Sequence, residues 1–199
     1  MIRTSSLAAV SVLTNQSLFP INCVPQWFSA AQMKISDPVL KNWLLDTGSL
    51  TERLQANSRH FTVQLLGQAE IAVTAEEHQS LGFEQHNPVI REVLLRGDNQ
   101  NWVYARTLIP RKLCEDGVNQ LAELGEQPLG KVIFNDSRFV RQPFEICHLQ
   151  GHSVLHQQLA INNDVALWGR RSVFTYQDYK LMVAEIFLPN APAYKNREF

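Results

Sequence analysis

The sequence predicts an α+β fold: a single antiparallel β-sheet with helices packed on it. Three observations support this class: strand-like segments outnumber helical ones, the strands come in hairpins, and helical segments interrupt them in clusters. With 199 residues and 45% hydrophobic content, the chain can bury the core of one domain. We expect residues 37–199 to form this domain. Residues 1–36 lack clear periodicity, and we expect them to be an N-terminal arm.

The first helical segments follow this arm. Asp37 precedes Pro38, the pattern of an N-cap acceptor followed by proline in the first turn. Gly48 ends this helix, and Ser49–Glu52 is a capping box that opens a second short helix. A DNA-binding helix-turn-helix would need basic residues on its second helix, where Arg53 alone is available. We therefore expect a packing element or a lid.

Strands dominate the middle of the chain. Residues 60–66 and 70–73 have strand-like composition on either side of a glycine. The clearest hairpin pairs residues 89–96 with residues 102–109. The intervening segment 97–101 is rich in glycine, aspartate and asparagine, which predicts a five-residue turn.

Pairing across this turn singles out one arginine. The predicted register sets Glu92 opposite Arg106, a pair that satisfies itself and is interpreted as structural. It sets Arg91 opposite Thr107, on a face that is otherwise apolar. The neighbouring sequence supplies no anion for Arg91. Its partner is either an acidic residue from a distant segment or a ligand carboxylate held by its fork of donors.

The segments after this hairpin mix helix and strand. Residues 118–124 are amphipathic and are followed by glycine, which predicts a helix. Pro128 then begins a helical turn whose first N–H groups lack partners and can bind an anion. Residues 137–147 have the composition of a further strand.

Three histidines recur at four-residue spacing in the polar stretch 148–164: His148, His152 and His156. On a helix they would share one face and could hold zinc or nickel. No acidic or cysteine ligand accompanies them in a known pattern. We therefore interpret the stretch as a solvated surface insertion and expect no metal site.

The last hairpin carries the strongest sign of a ligand site. Strand-like residues lie on both sides of the polar break 177–180, and Glu185 is the one charged residue in the apolar second strand. A four-residue loop would place Ser172 opposite Glu185, with Arg170 diagonally across on the same face. A carboxyl, a hydroxyl and a guanidinium would then converge on one side of the sheet.

A structural and a functional interpretation of Glu185 both remain open from pattern alone. In the structural interpretation, Glu185 forms a buried ion pair with Arg170 or Arg171, or lies at an exposed strand edge. Alternatively, it is a functional carboxyl that takes part in acid–base chemistry or hydrogen-bonds a ligand hydroxyl.

Whole-chain properties exclude several classes of protein. A net charge of −1 gives no indication of a nucleic-acid surface. Cys23, Cys114 and Cys147 fall in no paired spacing, as expected for reduced thiols in a cytosolic protein. No window approaches the roughly 18 apolar residues of a membrane helix. The apolar run 7–13 after Arg3 is similar to a signal peptide but short, so a frayed or loosely docked arm is favoured.

Four segments together resemble the chorismate lyase family of the ubiquinone pathway. They are WLLDTGSLTERL, REVLLRG…WVYARTLIP, LGEQPLG and ALWGRR…AEIFLP. They cover most of residues 38–192 in the order and approximate spacing of the family. None is a unique signature, and the match is specific because all four occur in order. The arm and the histidine-bearing stretch 148–163 are longer than the usual family pattern, so nothing is carried over onto either.

The resemblance implies cleavage of chorismate to 4-hydroxybenzoate and pyruvate, the first committed step of ubiquinone biosynthesis, without metal or organic cofactor. It also implies helical flaps over an enclosed ligand site, for which the candidates are Asp37–Gln55 and Val118–Gly125. An aromatic product behind such flaps should leave slowly and inhibit the enzyme. We expect a cytoplasmic monomer that binds chorismate as its partner, without nucleic-acid binding or membrane insertion.

The ligand contacts of the family fall on identifiable positions. Its carboxylate-binding arginine matches Arg91, and the backbone N–H that joins this arginine matches that of Leu129. Its glutamate near the 4-hydroxyl matches Glu185, which with Arg91 forms the expected catalytic pair. A flap position that is often methionine matches Leu50, an apolar change of similar volume that we expect to tune packing.

Cross-strand geometry and local charge add a hypothesis about the enolpyruvyl group: Arg170 or Arg171 binds its carboxylate or oxygen.

The main rival function is a non-catalytic, effector-sensing domain of the same fold, which binds a small aromatic acid. Such a domain would want an attached DNA-binding domain with a basic recognition helix, and this chain shows neither. A third interpretation is a structural domain in which Arg91 and Glu185 neutralise each other.

Overall fold

The computed structural model describes residues 18–82, 87–116, 121 and 124–194. The strands of this part of the chain are β1 (Phe28–Ser29), β2 (Phe61–Glu70), β3 (Val89–Gly97), β4 (Gln100–Ile109), β5 (Val140–Arg141), β6 (Glu145–Leu149), β7 (Leu167–Tyr176) and β8 (Tyr179–Phe187). Its α-helices are α1 (Pro38–Leu45), α2 (Leu50–Ala56), α3 (Ala75–Leu81), α4 (Arg111–Asp116), α5 (Gly130–Asn135) and α6 (Val154–Gln158). Short 3₁₀ helices lie at Ala30–Gln32 and Pro192–Tyr194.

The described strands form one sheet in the order β1-β6-β7-β8-β4-β3-β2, and β5 pairs with β7 beside this path. Each of these pairings is antiparallel. The predicted α+β class with an antiparallel sheet is therefore confirmed. The N-terminal arm is joined to the sheet through β1, which pairs with β6.

The hairpin between β3 and β4 has a shorter turn than predicted. The predicted five-residue turn is wrong: Gly97 pairs with Gln100, and two residues, Asp98 and Asn99, make the turn. Both have positive φ, 50° and 65°, as the tight hairpin turn requires and as Asp and Asn tolerate. A register shift after Leu95 offsets the shorter turn. The predicted partners Arg91–Thr107 and Glu92–Arg106 are therefore confirmed.

The hairpin between β7 and β8 is also tighter than predicted. Tyr176 pairs with Tyr179, so the turn contains two residues rather than four. The register moves by two positions, which preserves the face of every side chain but changes the partners. Arg170 lies directly opposite Glu185, and Ser172 lies opposite Val183. The predicted Ser172–Glu185 pairing is therefore wrong.

The boundaries of several other elements also differ from the prediction. The two strands predicted at 60–66 and 70–73 form one strand, β2, with an irregularity after Leu65. The strand predicted at 137–147 is divided into β5 and β6. The helix predicted at 118–124 lies largely outside the described residues.

The two faces of the sheet pack differently. On one face, Val93, Ala105 and Phe187 pack against α1 and α2 at one end of the strands. At the other end of the same face, Phe174 and Leu181 belong to a second cluster, which also includes residues of α5 and its N-cap. A space therefore remains between the two clusters, above the middle of the strands.

The opposite face holds a buried polar network. Glu92 accepts hydrogen bonds from the Ile21 N–H at 2.7 Å, the Asn22 N–H at 3.0 Å and the Tyr104 hydroxyl at 2.7 Å. Arg106 is bonded to Glu77 of α3, and its Nε lies 3.7 Å from Glu92. The predicted Glu92–Arg106 pair is thus part of a wider network, which fastens residues 21–22 of the arm to the sheet.

None of the helices in the described ranges is long and apolar enough to cross a membrane.

Candidate active site

A cavity of about 660 Å³, its mouth included, fills the space between the two clusters. Its floor is the middle of the sheet, and its cover comes from the start of α2 and from α5 with the turn that precedes it. The flap predicted at Asp37–Gln55 therefore does cover the cavity. The second predicted flap, Val118–Gly125, lies partly outside the described residues.

Two sheet rows of opposed residues form the polar part of the floor. Arg91, Thr107, Val183 and Ser172 are successive cross-strand partners in one row. The neighbouring row contains Arg170, Glu185 and Ala105. From strand spacing, the Cα atoms of Arg91 and Glu185 are roughly 12 Å apart across the floor. The register therefore separates these two side chains across the floor of one cavity.

Arg91 is a buried cation that has no paired anion among the described residues. Its side chain lies in the cavity floor, and the residue is 2% exposed. One Nη donates to the carbonyls of Gly125 and Gln127, at 2.9 and 3.0 Å. Within the described chain, its Nε has no hydrogen-bond partner and no carboxylate lies within 4.0 Å. Burial lowers the pKa of Arg91 to about 10, because the charged form loses hydration.

This environment bears on the two predicted partners of Arg91. The described residues supply backbone carbonyls rather than a distant acidic side chain. A buried guanidinium with an open donor can bind an anion that enters the cavity, so a ligand carboxylate remains the prediction for Arg91. The third interpretation, in which Arg91 and Glu185 neutralise each other, is wrong because Glu185 is paired elsewhere.

Glu185 is paired with Arg170. The Nε of Arg170 donates to Oε2 of Glu185 at 2.7 Å, and the two side chains are 3% and 17% exposed. Arg170 also donates to the carbonyls of Trp43 and Asp46, at 3.1 and 2.7 Å. The ion-pair interpretation of Glu185 is thus observed. The carboxylate nevertheless lines the cavity, where it can accept a further hydrogen bond.

Arg171 does not reach the cavity. Adjacent residues of a strand point to opposite faces, and Arg171 lies on the face away from Arg170. Its Nε donates to Glu145 at 2.7 Å, and its guanidinium carbon lies 5.1 Å from the ring centroid of Trp27. The expectation that Arg171 contacts the ligand is therefore wrong.

The two leucines of the predicted site both lie in the cover. Leu50 is the first residue of α2, whose N-cap Ser49 accepts a hydrogen bond from the backbone of Glu52. Leu129 is the N-cap residue of α5, so a helix begins directly after Pro128, where the sequence predicted a helical turn. Both leucines are buried and line the cavity.

Sequence reasoning missed Arg141. This residue lies on β5 opposite Phe174, lines the cavity and donates from one Nη to the carbonyl of Thr47 at 2.7 Å. Burial, together with the neighbouring charge of Arg170, lowers the pKa of Arg141. An arginine in an apolar strand, between Phe139 and Phe144, was a signal in the sequence that could have identified this residue. The single strand predicted there did not establish which face of the sheet Arg141 lies on.

Ser172 completes the polar floor. The sequence placed its hydroxyl near the convergent groups without giving it a role. Its Oγ is buried and has no hydrogen-bond partner in the described part of the protein. A cavity ligand is therefore the available partner for this hydroxyl.

The histidine-bearing stretch does not form one helical face. His148 is on β6, with its ring centroid 4.4 Å from that of Trp168. His152 lies in a turn with φ of 67°, and His156 is on α6, where its ring nitrogens contact Ser153 and Val165. The alternative of a zinc site on a shared face is therefore wrong. Among the residues described, no group of three His, Cys, Asp or Glu could hold a metal ion.

Fold and site together define a class: an α+β protein with an arginine-lined cavity between a sheet and helical flaps. Solved structures show the same fold. The effector domain of PhnF from Mycobacterium smegmatis matches with a TM-score of 0.54 and 15% identity, over 73% of this chain and 91% of that one. The ligand-binding domain of a putative GntR-family regulator from Bordetella bronchiseptica matches with a TM-score of 0.50 and 12% identity, over 67% and 86%.

Sequence relatives narrow the class further. The sequence model of the chorismate lyase family matches residues 22–198. A probable chorismate pyruvate-lyase of Pseudoalteromonas atlantica is 45% identical over 91% of this chain and 95% of its own length. Another, of Pseudomonas fluorescens, is 39% identical over 83% and 88%. The chain belongs to the chorismate lyase family.

Proposed function

We propose that this protein cleaves chorismate to 4-hydroxybenzoate and pyruvate. The observation that carries the proposal is a pair of groups that line one cavity: Arg91, which has no acidic partner in the described chain, and Glu185, which is held by Arg170. Membership of the chorismate lyase family supplies the substrate class.

The cavity groups fit the polar groups of chorismate. The ring carboxylate is assigned to Arg91, joined by the backbone N–H of Leu129 in the cover. Glu185 accepts a hydrogen bond from the 4-hydroxyl at the far end of the ring. Leu50 and the other apolar residues contact the ring faces and exclude water from the site.

The reaction then needs little from the protein beyond positioning and electrostatics. The C3–O bond breaks, enolpyruvate departs, and C4 loses a proton as its C–H electrons complete the aromatic ring. Enolpyruvate takes up a proton and becomes pyruvate, so atoms and electrons balance without a redox partner. The cavity orients the ether, stabilises charge on the departing oxygen and keeps water out.

The proposal extends to the setting of the reaction. We place the activity at the first committed step of ubiquinone biosynthesis, carried out by a cytoplasmic monomer. The free thiols of Cys23, Cys114 and Cys147 support a reducing compartment.

An effector-sensing role is the second candidate, because regulator domains share the fold. One experiment separates the two. Purified protein is incubated with chorismate, and pyruvate and 4-hydroxybenzoate are measured by a coupled dehydrogenase assay and by chromatography. We expect equal amounts of both products. Binding of 4-hydroxybenzoate without any release of pyruvate would contradict the lyase and favour the sensor.

A further inference from the structure

We propose that Arg141 binds the carboxylate of the enolpyruvyl side chain, so that it distinguishes substrate from aromatic product. The inference rests on the proposed function and adds a residue to it. Chorismate carries two carboxylates, and Arg91 accounts for the carboxylate on the ring. The second one requires another cation at the cavity.

Charge at the cavity matches this requirement. The charged residues that line it in the described chain are Arg91, Arg141, Arg170 and Glu185. Three arginines and one glutamate leave a net charge of +2, equal and opposite to the charge of chorismate. The product retains one carboxylate and leaves one of these cations without an anion.

Arg170 is not available for the second carboxylate, because its charge is already neutralised by Glu185. Its Nε is bonded to Glu185, and an Nη is bonded to the carbonyls of Trp43 and Asp46. Arg141 contrasts with it. No carboxylate of the described chain lies within 4.0 Å of Arg141, and its buried Nε is without a hydrogen-bond partner there.

The surroundings of Arg141 hold its guanidinium in place. Its central carbon lies 4.9, 5.1 and 5.3 Å from the ring centroids of Phe134, Phe144 and Phe174. Aromatic faces attract the cation and shield part of it from water, which strengthens its interaction with an anion. An arginine fixed in this way loses little conformational entropy when a carboxylate binds.

Substrate chemistry places the second carboxylate at this end of the cavity. The enolpyruvyl ether is on C3, next to the carbon that carries the 4-hydroxyl. Glu185 is assigned to that hydroxyl, so the side chain projects near Glu185 and its neighbours. Arg141 is among them: the guanidinium carbons of Arg141 and Arg170 lie 5.1 and 4.7 Å from the ring centroid of Phe144. The two side chains also donate to adjacent carbonyls, those of Thr47 and Asp46.

The test compares two ligands that differ by this carboxylate. In Arg141→Gln, we expect the KM for chorismate to rise at least tenfold while the Kd for 4-hydroxybenzoate changes less than twofold. Arg141→Lys should recover part of the loss, because it restores the charge. Arg138→Gln is the matched control: Arg138 is nearby, exposed and paired with Asp136, and neither constant should change.

Equal weakening of chorismate and 4-hydroxybenzoate in Arg141→Gln would indicate a structural role and overturn the inference. An unchanged KM would overturn it as well. If the wild-type protein bound chorismate but released no pyruvate, the proposed function would fail separately. Calorimetric titration of chorismate and 4-hydroxybenzoate into wild type and variant would then still decide the role of Arg141.

Discussion

Arg170 and Glu185 are direct cross-strand partners, and the Nε of Arg170 lies 2.7 Å from a carboxylate oxygen of Glu185. The same guanidinium donates to the carbonyls of Trp43 and Asp46 at the end of α1. One side chain thus joins the candidate ligand-binding carboxylate to the flap that covers it. The orientation of Glu185 and the position of the flap are therefore coupled.

Glu185→Gln tests whether this carboxylate moves a proton. We expect kcat to stay within about tenfold of wild type, because an amide oxygen still accepts hydrogen bonds from Arg170 and from the 4-hydroxyl. General acid–base catalysis is worth roughly 10²–10⁴-fold. Steady-state kinetics with chorismate measures the effect. A loss of more than about a hundredfold would assign obligatory proton transfer to Glu185 instead.

Arg91→Ala tests the carboxylate site. We expect ligand binding to weaken by about 2–5 kcal/mol, as when one partner of a buried charge pair is removed. Calorimetry with 4-hydroxybenzoate measures this directly. Arg96→Ala, on the same strand but outside the cavity lining, serves as the control and should bind normally. Near-normal affinity in the Arg91 variant would contradict its assignment.

Ser172→Ala should separate binding from stability. The Oγ has no partner in the described protein, so its removal breaks no internal hydrogen bond and the unfolding midpoint in urea should hold. We expect affinity for chorismate to fall by about 0.5–1.5 kcal/mol, the net contribution of one hydrogen bond. Unchanged affinity would show that the ligand leaves this hydroxyl unpaired.

Product inhibition should follow from the enclosed site. The cover closes an apolar aromatic product against the sheet, so its release is expected to limit turnover. Progress curves are recorded with chorismate, with and without added 4-hydroxybenzoate, and should flatten as product accumulates. Added pyruvate alone should have a smaller effect, because it lacks the ring. Linear turnover in the presence of 4-hydroxybenzoate would show that the flaps do not retain it.

Two buried thiols predict a loss of stability at alkaline pH. Burial raises the pKa of Cys23 to about 12, and it also raises the pKa of Cys147. In the unfolded chain a thiol ionises near pH 8.5, so above that pH the unfolded state alone releases these protons. The contribution of these thiols to the free energy of unfolding is therefore complete below pH 8.5 and is lost progressively up to about pH 12.

The measurement for the thiols is the urea unfolding midpoint at pH 8 and at pH 10. We expect a lower midpoint at pH 10, and a smaller difference between the two pH values in Cys23→Ala. Lysine and tyrosine titration is common to both proteins and cancels in this comparison. An equal difference in both proteins would rule out a contribution from this thiol.

The sequence predicted what depends on local periodicity. Alternation in the strands placed Arg91 and Glu185 on apolar faces, and a register shift after Leu95 preserved the pairing despite the wrong turn length. Turn length depends on whether Asp98, Asn99 and Gln177 adopt positive φ, which composition favours but does not determine.

Non-local packing explains the remaining differences. Arg141 lies on a two-residue strand whose partner, Phe174, is far along the chain, so local pattern could not assign its face. Arg171 was a candidate because two arginines adjoin in sequence, and alternation sends the second to the other face. The carbonyl partners of Arg91 lie in a turn that no strand pairing could predict.

The flap is fastened to the sheet through main-chain oxygens. Arg170 holds the carbonyls of Trp43 and Asp46, and Arg141 holds that of Thr47. Every amino acid carries such an oxygen, so substitutions at positions 46 and 47 leave these acceptors in place. Position 47 can therefore accept a substitution or a fluorescent label while the lid keeps its two anchors, whereas the Asp46 side chain also accepts hydrogen bonds from the Gly48 N–H and from Arg53.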